Sequence, residues 1–194
     1  MNKVFLFLII SAVLYPGCKD KNKTEAVVTE TAVDSSTFFQ TSIIFQRDIN
    51  ELDSTPYFIY KISQFNDKKD STAINTAAFK QVASTFLKSD ITSKELKPQY
   101  KESIFEDQTT QGYTISYRAL NKDLEVQSVD ILLKDDGTTV KNVFIRKFYN
   151  YDDSTAIEQL TWKPKERFQI IRSVQKNDNT VNNYQTLVVW NQKS

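Results

Sequence analysis

Carboxylates are the side chains of this sequence with the widest chemical reach. Glu102, Glu106 and Asp107 lie close together, and on a helix Glu102 and Glu106, four residues apart, share one face. Two carboxyl groups serve as acid and base in glycoside cleavage when they face each other across a cleft and one of them is kept protonated by its surroundings. The sequence supplies the pair but not the cleft, and a solvated helix end accounts for the same residues. Oxygen-rich stretches recur at Asp135-Asp136-Gly137, at Asp152-Asp153, and at Asp178 with Asn177, Asn179 and Asn182. Calcium accepts such ligands. None of these stretches has the alternate-position spacing of an EF-hand, and hairpin turns use the same residue types for their own backbone. Trp162 and Trp190, with Tyr113, Tyr117, Tyr149 and Tyr151, are candidates for an aromatic platform that takes a sugar or an apolar ligand. Aromatic residues on strands more often pack as cross-strand partners.

Several chemistries are excluded by what is missing. The chain of 194 residues has no histidine and one cysteine. Ser-His-Asp and Cys-His nucleophile systems therefore fall away, as do imidazole metal sites, thiolate clusters and an internal disulfide. Three glycines leave little room for phosphate-cradling loops, and no G-x-S-x-G, G-x-G-x-x-G or P-loop pattern is present. No catalytic, cofactor-binding or metal-binding residue is assigned, and no cofactor is expected. Twenty-five basic against 24 acidic residues give a formal net charge of +1. That balance holds no basic excess to draw in nucleic acid.

The first residues carry an address. Met1-Asn2-Lys3 is a short positive start, and Val4–Leu14 is apolar except for Ser11. Eleven residues are too few to span a bilayer, which needs ~20, but they suit the hydrophobic region of a secretory signal. The run ends in Leu14-Tyr15-Pro16-Gly17-Cys18, followed at once by Lys19-Asp20-Lys21-Asn22-Lys23. A hydrophobic run, a small residue, the lone cysteine and a charged tether together resemble the signal of a bacterial lipoprotein. The resemblance covers residues 1–18, and it departs from the commonest box in having Tyr15 and Pro16 where Leu and other residues are usual. It implies that Cys18 is lipidated on its sulfur, becomes the new N-terminus and is acylated, anchoring the protein to a membrane of the bacterial envelope, the outer one in a Gram-negative host. Several acyl chains hold stably where one is marginal, because each buried CH₂ contributes ~0.8 kcal/mol. Residues 19–36 are polar, rich in Thr, Glu, Ser and Lys, and read as a flexible tether.

The elements that must position any site come next. Hydrophobic residues at helical spacing over Thr37–Leu52 predict one helix, with Ser35 or Ser36 as its cap. Tyr57–Phe65 reads as a strand and Ser71–Ile74 as a short return. Asn75 or Thr76 caps a second helix through Lys88, with Phe79, Val82, Ala83, Phe86 and Leu87 forming its stripe. Leu96, Tyr100 and Ile104 predict a third, short helix near Pro98. Gly112–Trp190 organises the rest as about six strands joined by short polar turns. Leu124 and Val126 sit in one phase of that alternation and Val129, Ile131 and Leu133 in the other, so a bulge is expected near Gln127–Ser128. Val143, Ile145 and Tyr149 opposite Phe144 and Phe148 predict a central strand covered on both faces.

The resulting expectation is an α+β fold, an antiparallel β-meander of about six strands with two to three helices packed against it. The chain divides into a signal peptide (1–17), the lipidated cysteine and tether (18–36), and one globular domain (37–194). A half-barrel wrapped around a helix is the alternative, with an architectural likeness to the lipoprotein-carrier folds of the periplasm that no motif supports. The expected function is that of a non-catalytic, membrane-tethered envelope lipoprotein that binds a protein partner or supports the envelope. A lipid or glycan binder using a groove lined by Trp162 or Trp190 is the second expectation, and a hydrolase using carboxylates alone is the third.

Overall fold

The structure, a computed structural model, describes residues 38–107 and 112–190. Two α-helices and nine strands follow in the order α1 (Thr41–Ser54), β1 (Ile59–Phe65), β2 (Lys68–Ile74), α2 (Thr76–Leu87), β3 (Tyr100–Asp107), β4 (Gly112–Ala119), β5 (Val126–Leu133), β6 (Val140–Asn150), β7 (Ser154–Lys163), β8 (Arg167–Lys176) and β9 (Val181–Val189). All nine strands form one antiparallel sheet in the order β2-β1-β9-β8-β7-β6-β5-β4-β3. The α+β expectation holds. The strand count does not: six strands do fill 112–190, but the sheet extends past both ends of that meander. The β1–β2 hairpin returns across the chain to pair with β9, and β3 pairs with β4.

The third helix is the other correction. Only a single 3₁₀ turn forms at Lys97–Gln99, with Pro98 opening it, and Tyr100 already starts β3. Positions 96, 100 and 104 are four apart, which fits a helical face and a strand face equally, because four is also a multiple of two. Pairing decides the case. β4 needs a neighbour on that edge, and the Tyr100 hydroxyl donates to the Val126 carbonyl at 2.8 Å. Helix α1 also starts later than the spacing implies. Phe38 stacks on Tyr117 with ring centroids 4.6 Å apart, and the Phe39 amide donates to the Tyr117 hydroxyl at 2.8 Å. These two residues are thereby held to the sheet. Gln40 stands at the cap position without a side-chain hydrogen bond. Helix α2 begins as expected, with the Asn75 side chain accepting from the Ala78 amide.

The bulge falls where the phase change requires it: the β5–β6 register shifts between Val126 and Ser128. The Gln127 side chain donates there to the Lys122 and Leu124 carbonyls. Gly137, at φ +65°, turns the β5–β6 hairpin.

Both helices lie on one face of the sheet, the inner face. Phe45 and Ile49 of α1 and Phe79, Ala83 and Phe86 of α2 are buried there against Val129, Ile131, Val143, Leu160, Trp162, Phe168 and Val188. The outer face keeps Phe144, Phe148, Ile157 and Ile171 exposed. A β6 covered on both sides is therefore not found: among the described residues nothing packs on the outer face.

Candidate functional site

Register divides the inner face into rows that cross the strands. One row runs Val188–Phe168–Trp162–Val143–Ile131, directly beneath the helices. Four residues along β6 to β9, and five along β5 where the bulge adds one, a second row about 13 Å away runs Phe65–Tyr184–Arg172–Glu158–Lys147–Val126. The first is apolar and sealed. The second is charged at its centre and aromatic at its β1 end.

Trp162 and Trp190 belong to the sealed part. Trp162 is 0% exposed and Trp190 4%. Trp162 stacks on Phe168 at 5.0 Å and meets Phe45 at 5.0 Å and Phe86 at 4.9 Å; Trp190 meets Phe79 edge-on at 5.0 Å. The indole nitrogen of Trp162 donates to Asp48 Oδ2 at 2.9 Å, and the same oxygen accepts from the Lys165 amide at 2.8 Å. Asp48 is itself fully buried. It fastens α1 to the β7–β8 turn, where Lys165 takes a φ of +63°. An open platform built on Trp162 and Trp190 is therefore corrected by position: both rings are occupied by packing, and only the rim of Trp190 reaches a shallow depression beside Tyr57, Phe58 and Tyr60.

The carboxylates singled out in the sequence do not form a facing pair. Glu102 and Glu106 share a strand face rather than a helix face. Glu102 accepts from the Tyr117 hydroxyl at 2.9 Å, and exposed Glu106 sits 3.4 Å from the Tyr113 hydroxyl. Burial, aided by Glu102, pushes the Tyr117 phenol well above its ordinary range. The oxygen-rich turns spend their oxygens on their own backbones. Asp136 accepts from the Thr138 and Thr139 amides and the Thr139 hydroxyl, which holds its carboxyl far below the usual range. Asp178 accepts from the Thr180 amide. Among the described residues no cluster of three or more acidic, His or Cys side chains is arranged to hold a metal. Cys18 lies outside the described residues.

The charged row is what the sequence reading missed. Lys147 is 3% exposed and Glu158 7%. The Lys147 ammonium lies 2.6 Å from Glu125 Oε1 and 3.7 Å from Glu158 Oε2. Arg172 reaches Glu158 Oε1 at 3.4 Å and donates to the Tyr151 hydroxyl at 2.9 Å. The Tyr149 hydroxyl lies 3.2 Å from both Glu125 and Glu158, and the Arg172 guanidinium sits 4.7 Å from the Tyr149 ring. Burial alone raises the Glu125 pKa and lowers that of Lys147. Their mutual hydrogen bond and charge, aided at both groups by Tyr149, outweigh it, so the Glu125 carboxyl ends below its ordinary value and the Lys147 ammonium above its own. The available signal was charge in an apolar phase. Lys147 follows Val143 and Ile145 at the same two-residue step, and Arg172 follows Phe168 and Ile170.

No protein-family model matches this chain, and no curated protein matches it. Among solved structures it is similar to the S-type phycobiliprotein lyase CPES from Guillardia theta, at 9% identity over 81% of this chain and 100% of that one, with a TM-score of 0.25. At that TM-score the likeness carries nothing over to this chain. What stands is an α+β domain whose inner face is closed by two helices at one end and by ion pairs at the other.

Proposed function

We propose that the protein is a lipid-anchored, non-catalytic component of the bacterial envelope that binds a protein partner through its sheet. The observation carrying this reading is the contrast between the two faces. The apolar inner face and both tryptophans are consumed by packing, while Phe144, Phe148, Ile157 and Ile171 remain exposed on the outer face. Exposed apolar groups gathered on one face of a well-packed domain mark interaction surfaces. The lipoprotein-like signal at residues 1–18 and the polar tether after it support placement at a membrane surface.

Two experiments test the two halves. For the anchor, full-length protein made in a bacterial host is partitioned into detergent beside Cys18→Ala, with intact mass on both. Added acyl mass and detergent partitioning in the wild type alone are expected; aqueous partitioning of both would remove the anchor. For the partner, a photo-crosslinking residue is placed at Ile157 on the outer face or at exposed Lys80 on α2. A discrete protein adduct is expected from position 157 and not from 80. Adducts from neither, in intact cells, would overturn partner binding through the sheet.

A further inference from the structure

The outer face carries a depression of about 890 Å³ lined by residues of two cross-strand rows and the β4–β5 connection. One row is Arg118–Ser128–Arg146–Gln159, set by the β4–β5, β5–β6 and β6–β7 registers. The adjoining row, two residues along each strand, pairs Phe148 with Ile157. Lys122 also lines the depression, and Asp123 is the one acidic residue in its lining. Arg118 Nη1 donates to Asp130 Oδ1 at 2.7 Å and to the Tyr117 carbonyl at 3.1 Å, which leaves its Nε and Nη2 donors for a ligand. Arg146 is exposed, and its guanidinium has no partner among the described residues.

We infer that this depression binds an extended, acidic segment of a partner protein, with carboxylates meeting Arg146, Arg118 and Lys122 and apolar side chains resting on Phe148 and Ile157. Charge complementarity selects the anion: Arg146, Lys122 and Arg118 line the depression against Asp123, and only Arg118 already has a carboxylate partner, Asp130. Row spacing selects the extended peptide. Rows two residues apart on a strand lie about 6.8 Å apart, which is also the separation of side chains i and i+2 on one face of an extended chain. A segment with an acidic residue at i and an apolar one at i+2 therefore meets both rows without adjustment. A flat anionic bilayer does not reach into a depression. Guanidinium forks suit carboxylates, which they can engage with two parallel hydrogen bonds. This inference rests on the reading of the protein as a partner-binding domain and names the chemistry of the partner.

The test uses the full-length protein in mild detergent and a fluorescently labelled copolymer of glutamate and tyrosine, read by anisotropy. Saturable binding that weakens with added salt is expected. Arg146→Glu should weaken it about tenfold or more, as reversal of an interfacial charge does, and Lys122→Glu should weaken it less. Plain polyglutamate should bind more weakly than the copolymer, and Phe148→Ser should abolish that difference. Each variant is checked for an unchanged melting transition; Arg146 and Lys122 are exposed, so folding is expected to be intact. Copolymer binding unchanged in Arg146→Glu overturns the inference. So does equal or tighter Arg146-dependent binding of polygalacturonate or of phosphatidylglycerol in mixed micelles of the same detergent, which would assign the depression to an acidic glycan or to lipid headgroups. Absence of copolymer binding, with the position-157 adduct still formed in cells, would remove the acidic partner and leave partner binding standing.

Discussion

Two rows of the same sheet face, about 13 Å apart, have solved burial in opposite ways. At Trp162 the strands present aromatic and branched side chains, and α1 and α2 cover them. At Lys147 and Glu158 the strands present charges, and the charges cover each other with Glu125, Arg172 and Tyr149. The apolar row draws on area removed from water and on packing. The charged row recovers little beyond the desolvation its burial costs, because a buried ion pair roughly offsets that cost and no more. The helices thus set the stability of the domain. The charged end sets which pairings are allowed, since any register slip would strand Lys147 or Glu158 without its partner.

The largest effects are expected at the sealed row. Trp162→Ala should cost about 4 kcal/mol, from lost transfer energy and the cavity left among Phe45, Phe86 and Phe168. Asp48→Ala should cost about 3 kcal/mol, because it leaves the buried Trp162 indole and the part-buried Lys165 amide without their acceptor. Urea titration followed by tryptophan fluorescence for Asp48→Ala, and by circular dichroism for Trp162→Ala, reads both. A loss below about 1 kcal/mol in either would mean that the helices do not carry the fold.

The charged row should respond differently. Lys147→Met should cost about 2 kcal/mol, since Glu158 stays buried with Arg172 as its remaining cation. Adding Glu158→Leu should restore part of that loss. A double variant less stable than the single one would show that the row stabilises the sheet outright, and the contrast between the rows would disappear.

Much of this architecture is legible in the residue pattern. The phase change at Val126 and Val129 locates the bulge, Asn75 caps α2, and the turns at Asp135–Gly137 and Asn177–Asn179 delimit their hairpins. What failed did so for identifiable reasons. Tyr100 and Ile104 lie at a spacing shared by helix and strand, and a sheet edge decided between them. The β1–β9 pairing joins segments more than 100 residues apart and leaves no local signature. Trp162 and Trp190 carry the same alternation whether a strand face is open or covered, so their burial depended on where α1 and α2 came to rest. The ion pairs of Lys147 depended on cross-strand register, which alternation within one strand does not contain.

The pH dependence sharpens the comparison further. Glu125 has a folded-state pKa below its unfolded value, held there against burial by the Lys147 ammonium. Its contribution to stability is therefore present above the unfolded carboxylate value of about 4.3 and is lost as pH falls through the lower folded value. Half-exposed, it should contribute little. Glu125→Gln should lower the melting temperature slightly at neutral pH, with the gap from the wild type closing on acidification. Lys147 gives the opposite limb: its contribution is complete below its unfolded value of about 10.4 and is lost as pH rises through the higher folded one. Absence of a Glu125→Gln gap at neutral pH would mean that Lys147 is paired chiefly with Glu158.

The smallest effect comes from two adjacent residues. Ile170 points inward and packs partly against the core; Ile171 points outward and is exposed. The same change at each, Ile→Thr, replaces the same ethyl branch with a hydroxyl on the same strand β8. Ile171→Thr should change stability by no more than about 0.5 kcal/mol, the range of ordinary surface substitutions. Ile170→Thr should cost distinctly more, because its hydroxyl enters a partly buried site beside Leu160. Equal losses at 170 and 171, measured by urea titration, would mean that the outer face is covered in the protein as it folds. The exposed face that the proposed partner uses would then already be occupied.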